Sequence, residues 1–435
     1  MEYFNFGDTP PLFTINLSTP PSHRYDHVAA ALRPALSTID FAALFSETIA
    51  LLLPENTPPR LLQSITTCIC ALSRVFLRRL YSATETEEIR GISRATGLPL
   101  DLLISFNIGL DLLMGCTSGG VLMSASPSAP ARMVHFRTLD WDMDELRRLV
   151  VELEFVGVEG GPAVARTVGY FGYVGVLTGV RRGLSLGLNF RAGEAGRGGW
   201  GRWRVGWHLW MVMLGWRRGV ASVLRGYLLG DEDEAWRAGK RRKRERRGRG
   251  YVELNNYGDG EGRVAAIDDI LIDLAHSPST AAYLILCTPS TVYSVEKGHR
   301  TASVQSSDQF LTTCNHDLVD EPDPARIHAA AQNVASQGMA EIMDESVERK
   351  QAVEQVWKQR LRLRRRLRSR RETRGDSDAV DLDDVLHMVG QESISYGGTH
   401  YAVVMDPAHG DILWRRVYRT ADLRDKDQDT DPDTR

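Results

Sequence analysis

The sequence predicts an α+β protein in which a mainly helical first part is followed by a part rich in strands. Up to about residue 115, apolar clusters alternate with helix punctuation such as Pro58-Pro59 and Pro99. From Cys116 onward, short runs of strand-forming residues are separated by turn residues, and beyond residue 266 helices and strands alternate. With 435 residues, 43% of them hydrophobic, the chain is long enough to bury a sizeable core.

The elements can be assigned in order along the chain. A short extended segment runs from Pro11 to Asn16, and helices fill most of the chain from there to residue 115. The close spacing of the first strands after that point favours an antiparallel meander. These strands are predicted at Thr117 to Met123, Met133 to Trp141, Val150 to Val156, Val164 to Leu177 and Leu184 to Phe190; a helix at Ile267 to Ala275 follows, with strands at Ala281 to Cys287, Thr291 to Glu296, Phe310 to Cys314, Tyr401 to Asp406 and Ile412 to Tyr418.

Three segments stand outside this pattern. Residues 231–262 are rich in glycine and charged residues and are predicted as a low-complexity loop insertion. Residues 340–376 are predicted as a charged helical insertion, in which Leu361 to Arg371 contain seven arginines. The acidic tail, 420–435, is predicted to be disordered. The remaining chain divides into a helical segment, 1–115, and a main domain, 116–419.

Composition and charge exclude several classes of function. The formal net charge of −3 is small for this length, so no global field marks a binder of nucleic acid. The two basic runs lack interleaved aromatic residues and are interpreted as solvated segments, so no nucleic-acid partner is expected. Five cysteines form an odd set without a paired CxxC spacing, which argues against a zinc module and a disulfide framework. We expect no metal site and no cofactor.

The start of the sequence carries acidic residues and no apolar run, so no signal peptide is predicted. As written, the chain is expected to be cytoplasmic. If the start is incomplete, a lysosome-like or secreted compartment is the alternative.

Cys116 stands where the helical pattern ends and the strand pattern begins. The next strand returns antiparallel and can bring Arg137 and Asp140 near the thiol. An arginine lowers the pKa of a thiol, and a carboxylate can orient an amine that shuttles protons. Since strand side chains alternate, residues three apart face opposite sides, so the strand must end or bulge for both to reach Cys116. The simpler interpretations are that Cys116 is a buried residue of the core and that Arg137 and Asp140 form a surface ion pair.

Several motifs, in this order, resemble the acid ceramidase and N-acylethanolamine-hydrolysing acid amidase family of N-terminal-nucleophile cysteine hydrolases, which is related to bile salt hydrolase. The matching stretches are Pro11 to Leu17, Pro20 to Tyr25, Cys116-Thr117-Ser118, Arg137 to Trp141, Phe171 to Gly179 and Thr312 to Asp317.

The resemblance implies a four-layer αββα sandwich, made as a precursor that Cys116 cuts after Gly115. It implies an alpha chain, 1–115, that stays associated with a beta chain that starts at Cys116. In this family's scheme Cys116 is the nucleophile and its α-amine the base, Asp140 orients the amine, and Arg137 stabilises the thiolate or the substrate carbonyl. Asn315 donates to the oxyanion. The implied reaction is hydrolysis of N-acyl lipids, such as ceramides or N-acylethanolamines, through an acyl-thioester.

The sequence departs from the family at two positions. Phe190 replaces an expected acidic residue, while its neighbours Asn189 and Arg191 remain and can help to shape the site. His316 replaces the tyrosine that follows the oxyanion asparagine, and we assign it no catalytic role.

A tryptophan-rich stretch from Trp200 to Trp216 has largely helical spacing with flanking arginines. It fits a helix that contacts a membrane or lipid surface, or a helix whose apolar face is core. Two alternative functions stay open. One is a related hydrolase or acyltransferase that acts on other small acyl amides. The other is an unprocessed, inactive relative that binds lipid or a partner protein.

Overall fold

The computed structural model describes residues 9–51, 57–109, 115–124, 130–141, 143–191, 199–230, 266–323, 325–328, 337–371, 379–391, 394–395 and 397–418. The predicted loop insertion at 231–262 and the predicted tail at 420–435 lie outside these residues.

The strands form two sheets that pack face to face. In chain order they are β1 (Leu12–Asn16), β2 (Gly115–Met123), β3 (Arg132–Asp140), β4 (Val150–Val156), β5 (Ala163–Tyr170), β6 (Thr178–Arg181), β7 (Leu184–Phe190), β8 (Ala282–Cys287), β9 (Val292–Lys297), β10 (Ala302–Ser307), β11 (Phe310–Thr313), β12 (Thr399–Asp406) and β13 (Asp411–Val417). Eight strands follow the order β1-β4-β5-β6-β7-β8-β9-β10, and five follow the order β11-β2-β3-β12-β13. The predicted meander is therefore split, because β2 and β3 belong to the five-stranded sheet.

Helices cover the outer faces of both sheets. They are α1 (Asp26–Leu36), α2 (Phe41–Leu51), α3 (Pro59–Phe76), α4 (Ala83–Thr96), α5 (Leu100–Gly109), α6 (Gly199–Met213), α7 (Val220–Leu229), α8 (Ile267–His276), α9 (Gln337–Arg371) and α10 (Leu382–Val389), with 3-10 helices at Pro21–His23 and Asp144–Leu149. Helix α7 packs on β5, β6 and β7, whereas α9 and α10 pack on β2, β3 and β11. The layers run helix, sheet, sheet, helix, which confirms the predicted αββα sandwich.

Two strands differ from the sequence prediction. The strand predicted at Val164 to Leu177 ends at Tyr170, and a separate strand, β6, follows the intervening loop. Gly172 in that loop has a φ of 89°, a left-handed conformation that favours glycine and breaks the strand. Strand β10 was not predicted, because its mostly exposed sequence of small and polar residues lacks apolar alternation.

Helix α9 corresponds to the segment predicted as a charged insertion. Its first half is a structural layer, because a stripe of residues at three- and four-residue spacing is buried against the five-stranded sheet. The buried members are Met343, Ser346, Arg349, Lys350 and Val353.

The residues before 110 are tied to the rest of the chain in two ways. Strand β1 pairs in parallel with β4 and forms one edge of the eight-stranded sheet. Glu88, fully buried on α4, accepts from Arg24 Nη1 at 2.9 Å and from Arg225 Nη1 at 2.6 Å. A buried carboxylate of this kind needs its cationic partners to stay in place.

Among the described residues, none of the individual helices is both long and apolar enough to cross a bilayer. The segments Pro21–Leu36 and Phe41–Ala50, which meet at a bend of 80°, reach that length and composition only when taken together.

Candidate active site

The candidate nucleophile lies at the beginning of a central strand. Cys116 is the second residue of β2 and its side chain is 0% exposed. In the register with β3, Gly115 stands opposite Asp140, and Ser118 stands opposite Arg137. The bond between Gly115 and Cys116 is thus part of a regular ladder.

Arg137 and Asp140 lie on opposite faces of β3. The ladder with β2 is regular through Asp140, and the register shift found near this point lies on the other side, between Thr399 and Tyr401 of β12. The expectation that both side chains approach the thiol is therefore wrong. Arg137 shares the face of Cys116, toward the eight-stranded sheet, whereas Asp140 faces α9.

Arg137 is held against the thiol by backbone carbonyls. Its Nη2 lies 3.2 Å from Cys116 Sγ and also donates to the Leu188 carbonyl oxygen, and Nη1 donates to the Leu177 carbonyl oxygen over 2.7 Å. The charged group is completely buried. Since its donors are directed by fixed strands, the guanidinium is preorganised toward the sulfur.

Burial decides the charge state of the thiol in the uncut chain. It raises the pKa of Cys116 to about 11, although the Arg137 guanidinium acts in the opposite direction. The prediction that Arg137 gives a lowered pKa is therefore wrong for this state. The thiol is protonated at neutral and acidic pH.

The nitrogen of Cys116 has its own partner. Asn315 lies two residues beyond β11, whose Thr313 pairs with Ser118, so continuation of the ladder would place Asn315 opposite Cys116. Its side chain takes the role of the missing backbone partner, because Oδ1 accepts the Cys116 N–H over 3.0 Å. Its Nδ2 donates to the Phe190 carbonyl oxygen over 2.8 Å, so the donor expected for an oxyanion is engaged in the uncut chain.

Arg349 on α9, which the sequence motifs do not indicate, joins the two faces of the site. Its Nη1 donates to Asp140 Oδ2 and its Nη2 to Asn315 Oδ1, both over 3.1 Å. Asp140 therefore reaches the Cys116 nitrogen through Arg349 and Asn315. The signal in the sequence that could have identified Arg349 is its position within the stripe of a helix that becomes buried. We call Cys116, Arg137, Asp140, Asn315 and Arg349 the site centre.

Asp140 is a buried carboxyl group. Burial raises its pKa to about 6, while the Arg349 guanidinium and the hydroxyl of Thr399, which donates over 2.7 Å, act against this rise. It thus exchanges its proton at mildly acidic pH.

The two flanking residues proposed from the sequence behave differently. Asn189 lies in the site, with Nδ2 3.0 Å from the Thr313 carbonyl oxygen and 3.5 Å from that of Cys116. Arg191 points away from the site and forms a bidentate ion pair with Asp317, in which each hydrogen bond is 2.7 Å long.

A polar link behind the thiol joins the two sheets and was also not predicted. His135 Nε2 lies 2.9 Å from Ser118 Oγ, and its Nδ1 lies 3.1 Å from Ser185 Oγ. A Cβ added at Gly187 would lie 3.0 Å from Arg137 Nη1 and 3.1 Å from Ser118 Oγ. Because Gly187 has no side chain, the two sheets can approach closely at this point.

An apolar cavity of about 480 Å³, a size typical of ligand pockets, which hold roughly 300–1,000 Å³, is lined in part by neighbours of the site centre in sequence. Its wall includes Trp141, which directly follows Asp140, and Gly109, which ends the helix before β2. Phe171 and Gly172, from the loop after β5, also line it.

Exposed aromatic residues lie along helix α6, which contributes Trp210 and Met213 to the wall of this cavity. Helix α6 confirms the predicted helical stretch, and Trp203 on it is 70% exposed. Trp210 lines the cavity and contacts Phe76 of α3, with ring centroids 5.8 Å apart. We call this the cavity rim, which comprises Phe76, Trp203, Trp207, Trp210 and Met213; the side chain of Trp200 lies outside the described residues.

The layered sandwich, with a cysteine at the beginning of a central strand, has the architecture of the N-terminal-nucleophile hydrolases. Part of the chain is similar to members of the acid ceramidase and N-acylethanolamine-hydrolysing acid amidase family, as its motifs predict. A family model described as the beta subunit of N-acylethanolamine-hydrolyzing acid amidase matches residues 8–66. That match falls within residues 1–115, the segment predicted above as the alpha chain, although the family model is described as a beta subunit. The division after Gly115 stays a prediction.

Individual relatives match part of the chain. Acid ceramidase from Rattus norvegicus is 30% identical over 197 residues, which are 42% of this chain and 45% of the rat protein. N-acylethanolamine-hydrolyzing acid amidase from Caenorhabditis elegans is 27% identical over 197 residues, or 42% and 49%. The chain thus spans about half the length of these relatives. A solved structure of a Caenorhabditis elegans ortholog of that amidase is similar at a TM-score of 0.43 and 16% identity, over 70% of this chain and 100% of that one.

Proposed function

We propose that the chain is the precursor of an amide hydrolase, in which Cys116 cuts its own bond to Gly115 and then hydrolyses the amide bond of N-acyl lipids. The relatives are named for ceramide and N-acylethanolamine hydrolysis, which supports this substrate class.

One observation carries the proposal: the buried thiol and the apolar cavity share chain segments. Strand β3 leads from Arg137 and Asp140 directly to Trp141 in the cavity wall, and α5, which precedes Cys116 in the chain, ends in that wall. We propose that an acyl chain in the cavity presents its carbonyl group toward the site centre. The almost purely apolar lining fits a fatty-acyl chain better than a polar amide.

The contacts of Cys116 support the following steps of self-cleavage. The sulfur attacks the Gly115 carbonyl carbon, the C–N bond between the two residues breaks, and the thiol proton passes to the departing nitrogen. Water then hydrolyses the thioester and leaves a carboxylate on Gly115. Arg137, at 3.2 Å, stabilises the charge that the sulfur gains as it loses its proton. Asn315, polarised by Arg349, orients the nitrogen that becomes the amine.

The released amine changes the chemistry of the site. An α-amine has a pKa of about 8, so its release gives the site a base of moderate strength on the same residue as the thiol. The activated sulfur attacks the acyl carbonyl, the amide C–N bond breaks as the nitrogen receives the proton from the amine, and water releases the fatty acid from the thioester. For the oxyanion role, Asn315 must exchange its bond to Phe190 for one to the substrate.

Intact mass tests the proposal most directly. The purified chain should separate into fragments 1–115 and 116–435 and should release fatty acid from N-acyl lipids with long chains faster than from short-chain amides. Cys116→Ala should remain uncut, and Cys287→Ala, which removes another buried thiol, should be cut normally. Cleavage of the Cys116→Ala chain at this bond would refute self-processing. An uncut wild-type chain would favour the inactive, binding relative, and a preference for short amides would favour the other alternative.

We propose that the two chains stay associated after the cut through the buried ion triad of Arg24, Glu88 and Arg225. Removal of the charge from such a group destabilises by roughly 3–5 kcal/mol. Glu88→Gln should therefore cause the fragments to separate in gel filtration at low urea concentration. Glu87→Gln, its exposed neighbour, should leave them together. Equal behaviour of both variants would assign the association to the shared sheet instead.

We propose an acidic compartment as the place of action, since the relatives carry the word acid in their names. These relatives do not support the cytoplasmic location expected from the start of the sequence. The cavity rim, with its exposed tryptophans, is proposed to contact the lipid surface that holds the substrate.

A further inference from the structure

His316 has no part in the chemistry proposed above, yet its ring is almost completely buried beside the site centre. It directly follows Asn315, and its Nδ1 lies 2.6 Å from Ser346 Oγ on α9. Ser346 Oγ donates its one proton to the Met343 carbonyl oxygen over 2.8 Å. We therefore assign the proton between the two side chains to His316, whose neutral ring is then the tautomer with its proton on Nδ1.

The partner of His316 is one turn away from Arg349. Ser346 and Arg349 are three residues apart on α9, so they lie on the same face of the helix. Asn315 accepts from Arg349 over 3.1 Å, and the next residue, His316, donates to Ser346. Two consecutive residues thus hold one turn of α9 at two points.

We propose that His316 is a positioning residue, which anchors the turn of α9 that presents Arg349 to Asn315 and Asp140. The inference rests on the proposed function, because Arg349 acts on the Cys116 nitrogen through Asn315. The family motif that the sequence resembles has a tyrosine at this position, so this anchor is a feature in which the chain departs from that motif.

The anchor depends on pH because the ring carries a second nitrogen. Among the described residues, His316 Nε2 has no hydrogen-bond partner; it lies 4.0 Å from Glu321, which Lys350 holds at 2.6 Å. Burial lowers the pKa of His316 to about 4, and Lys350 and Arg349 act in the same direction, against the carboxylates of Glu321 and Asp317.

The direction of the pH effect follows from this lowered pKa. Between pH 6.5 and about 4, a ring released from the site binds a proton that the docked ring does not. The contribution of the anchor to stability is therefore complete above pH 6.5 and is lost as the pH falls through this range. We expect α9 to loosen on acidification and self-cleavage to slow, so the cut should precede arrival in the acidic compartment proposed above.

Hydrogen exchange in the full-length Cys116→Ala chain tests the anchor without any need for activity. In His316→Asn, the amide nitrogen occupies the place of Nδ1 and does not titrate; in His316→Gln, it occupies the place of Nε2. We expect the peptide 343–350 to keep its protection at pH 7 in the Asn variant and to exchange roughly tenfold faster in the Gln variant. Between pH 7 and 5, wild type should lose protection and the Asn variant should not. Equal protection in the Gln variant and wild type would overturn the anchor.

Self-cleavage in the chain that retains Cys116 provides the functional readout. The Gln variant should be cut roughly tenfold more slowly at pH 7, whereas the Asn variant should be cut at the wild-type rate and should continue to be cut at lower pH than wild type. The same acid limit in wild type and the Asn variant would refute the pH dependence. A wild-type chain that is never cut would refute the proposed function, while the exchange result would still decide the anchor.

Discussion

The site centre and the cavity rim are built in opposite ways. At the site centre every side chain is buried and charged or polar, and each is held by backbone groups or by a partner from another element. At the cavity rim the side chains are large and apolar, and several are exposed on one face of α6. In the proposed function this contrast separates two tasks: fixed strands set the chemistry, and a helix surface receives the lipid. Changes at the centre should alter cleavage, and changes at the rim should alter binding only.

The largest effect is expected at Arg137. In Arg137→Lys, a single nitrogen replaces the two guanidinium nitrogens that divide the contacts to the thiol and two carbonyl groups, so we expect self-cleavage to slow by at least about 100-fold. Arg181→Lys is the matched control, because Arg181 is a buried arginine that also donates to backbone carbonyls, away from the thiol. A time course on a denaturing gel measures both. Equal slowing in the two variants would show that the effect comes from the loss of a buried guanidinium in general and not from the contact with the thiol.

The second effect concerns Asp140 and pH. The pKa of this carboxyl is raised in the folded chain from 3.8 to about 6, so the folded chain holds a proton that the unfolded chain has lost. The stabilisation is present below pH 4 and is lost as the pH rises through 6, by roughly 3 kcal/mol. In a Cys116→Ala background, urea unfolding at pH 4 and pH 7 should show this loss relative to Asp140→Asn, which does not titrate. A loss in the opposite direction would show that Asp140 stays ionised.

The third effect tests how closely the sheets must approach behind the thiol. Gly187→Ala places a methyl group 3.0 Å from Arg137 Nη1 and should destabilise the fold by about 1–3 kcal/mol and slow cleavage. At Gly169, in the same sheet, an added Cβ has no neighbour within 4 Å, so Gly169→Ala is the control. Thermal unfolding of both variants measures the difference, and equal melting temperatures would show that the contact at Gly187 relaxes.

The smallest effect is expected at the rim. Trp203→Ser should weaken binding to vesicles of phosphatidylcholine with some phosphatidylserine by roughly tenfold. The variant loses the free energy that is gained when the exposed indole ring moves from water into the lipid surface. Val158→Ser, an exposed apolar residue on the turn after β4, should bind like wild type. Flotation measures binding, and self-cleavage of Trp203→Ser should be unchanged. A change in cleavage would contradict the division between centre and rim.

The sequence predicted the αββα sandwich through its motifs and most of the strands through their apolar runs. It also brought together Cys116, Arg137 and Asn315, because the strand register and the chain order of the motifs carry that information. It misjudged Asp140, whose approach to Cys116 is indirect and passes through a helix that is distant in sequence.

The sequence did not indicate Arg349 or the positioning role that we propose for His316, and the reason is physical. Both residues contact a partner across the boundary between α9 and the segment after β11. Periodicity in a sequence shows only which face of a helix is buried, not which residues that face contacts. The thiol was misjudged for another reason: the neighbouring charge of Arg137 is visible in the motif, but the burial that outweighs it is a property of the whole fold.

Strand β1 comes from the segment before Cys116, yet it completes one edge of the eight-stranded sheet. In the precursor, β1 meets β4 within a single molecule. After the proposed cut, rebuilding that edge from separated pieces becomes a bimolecular event that depends on concentration. The cut protein would then persist for as long as it stays folded, and its lifetime would be set by its unfolding rate rather than by an equilibrium.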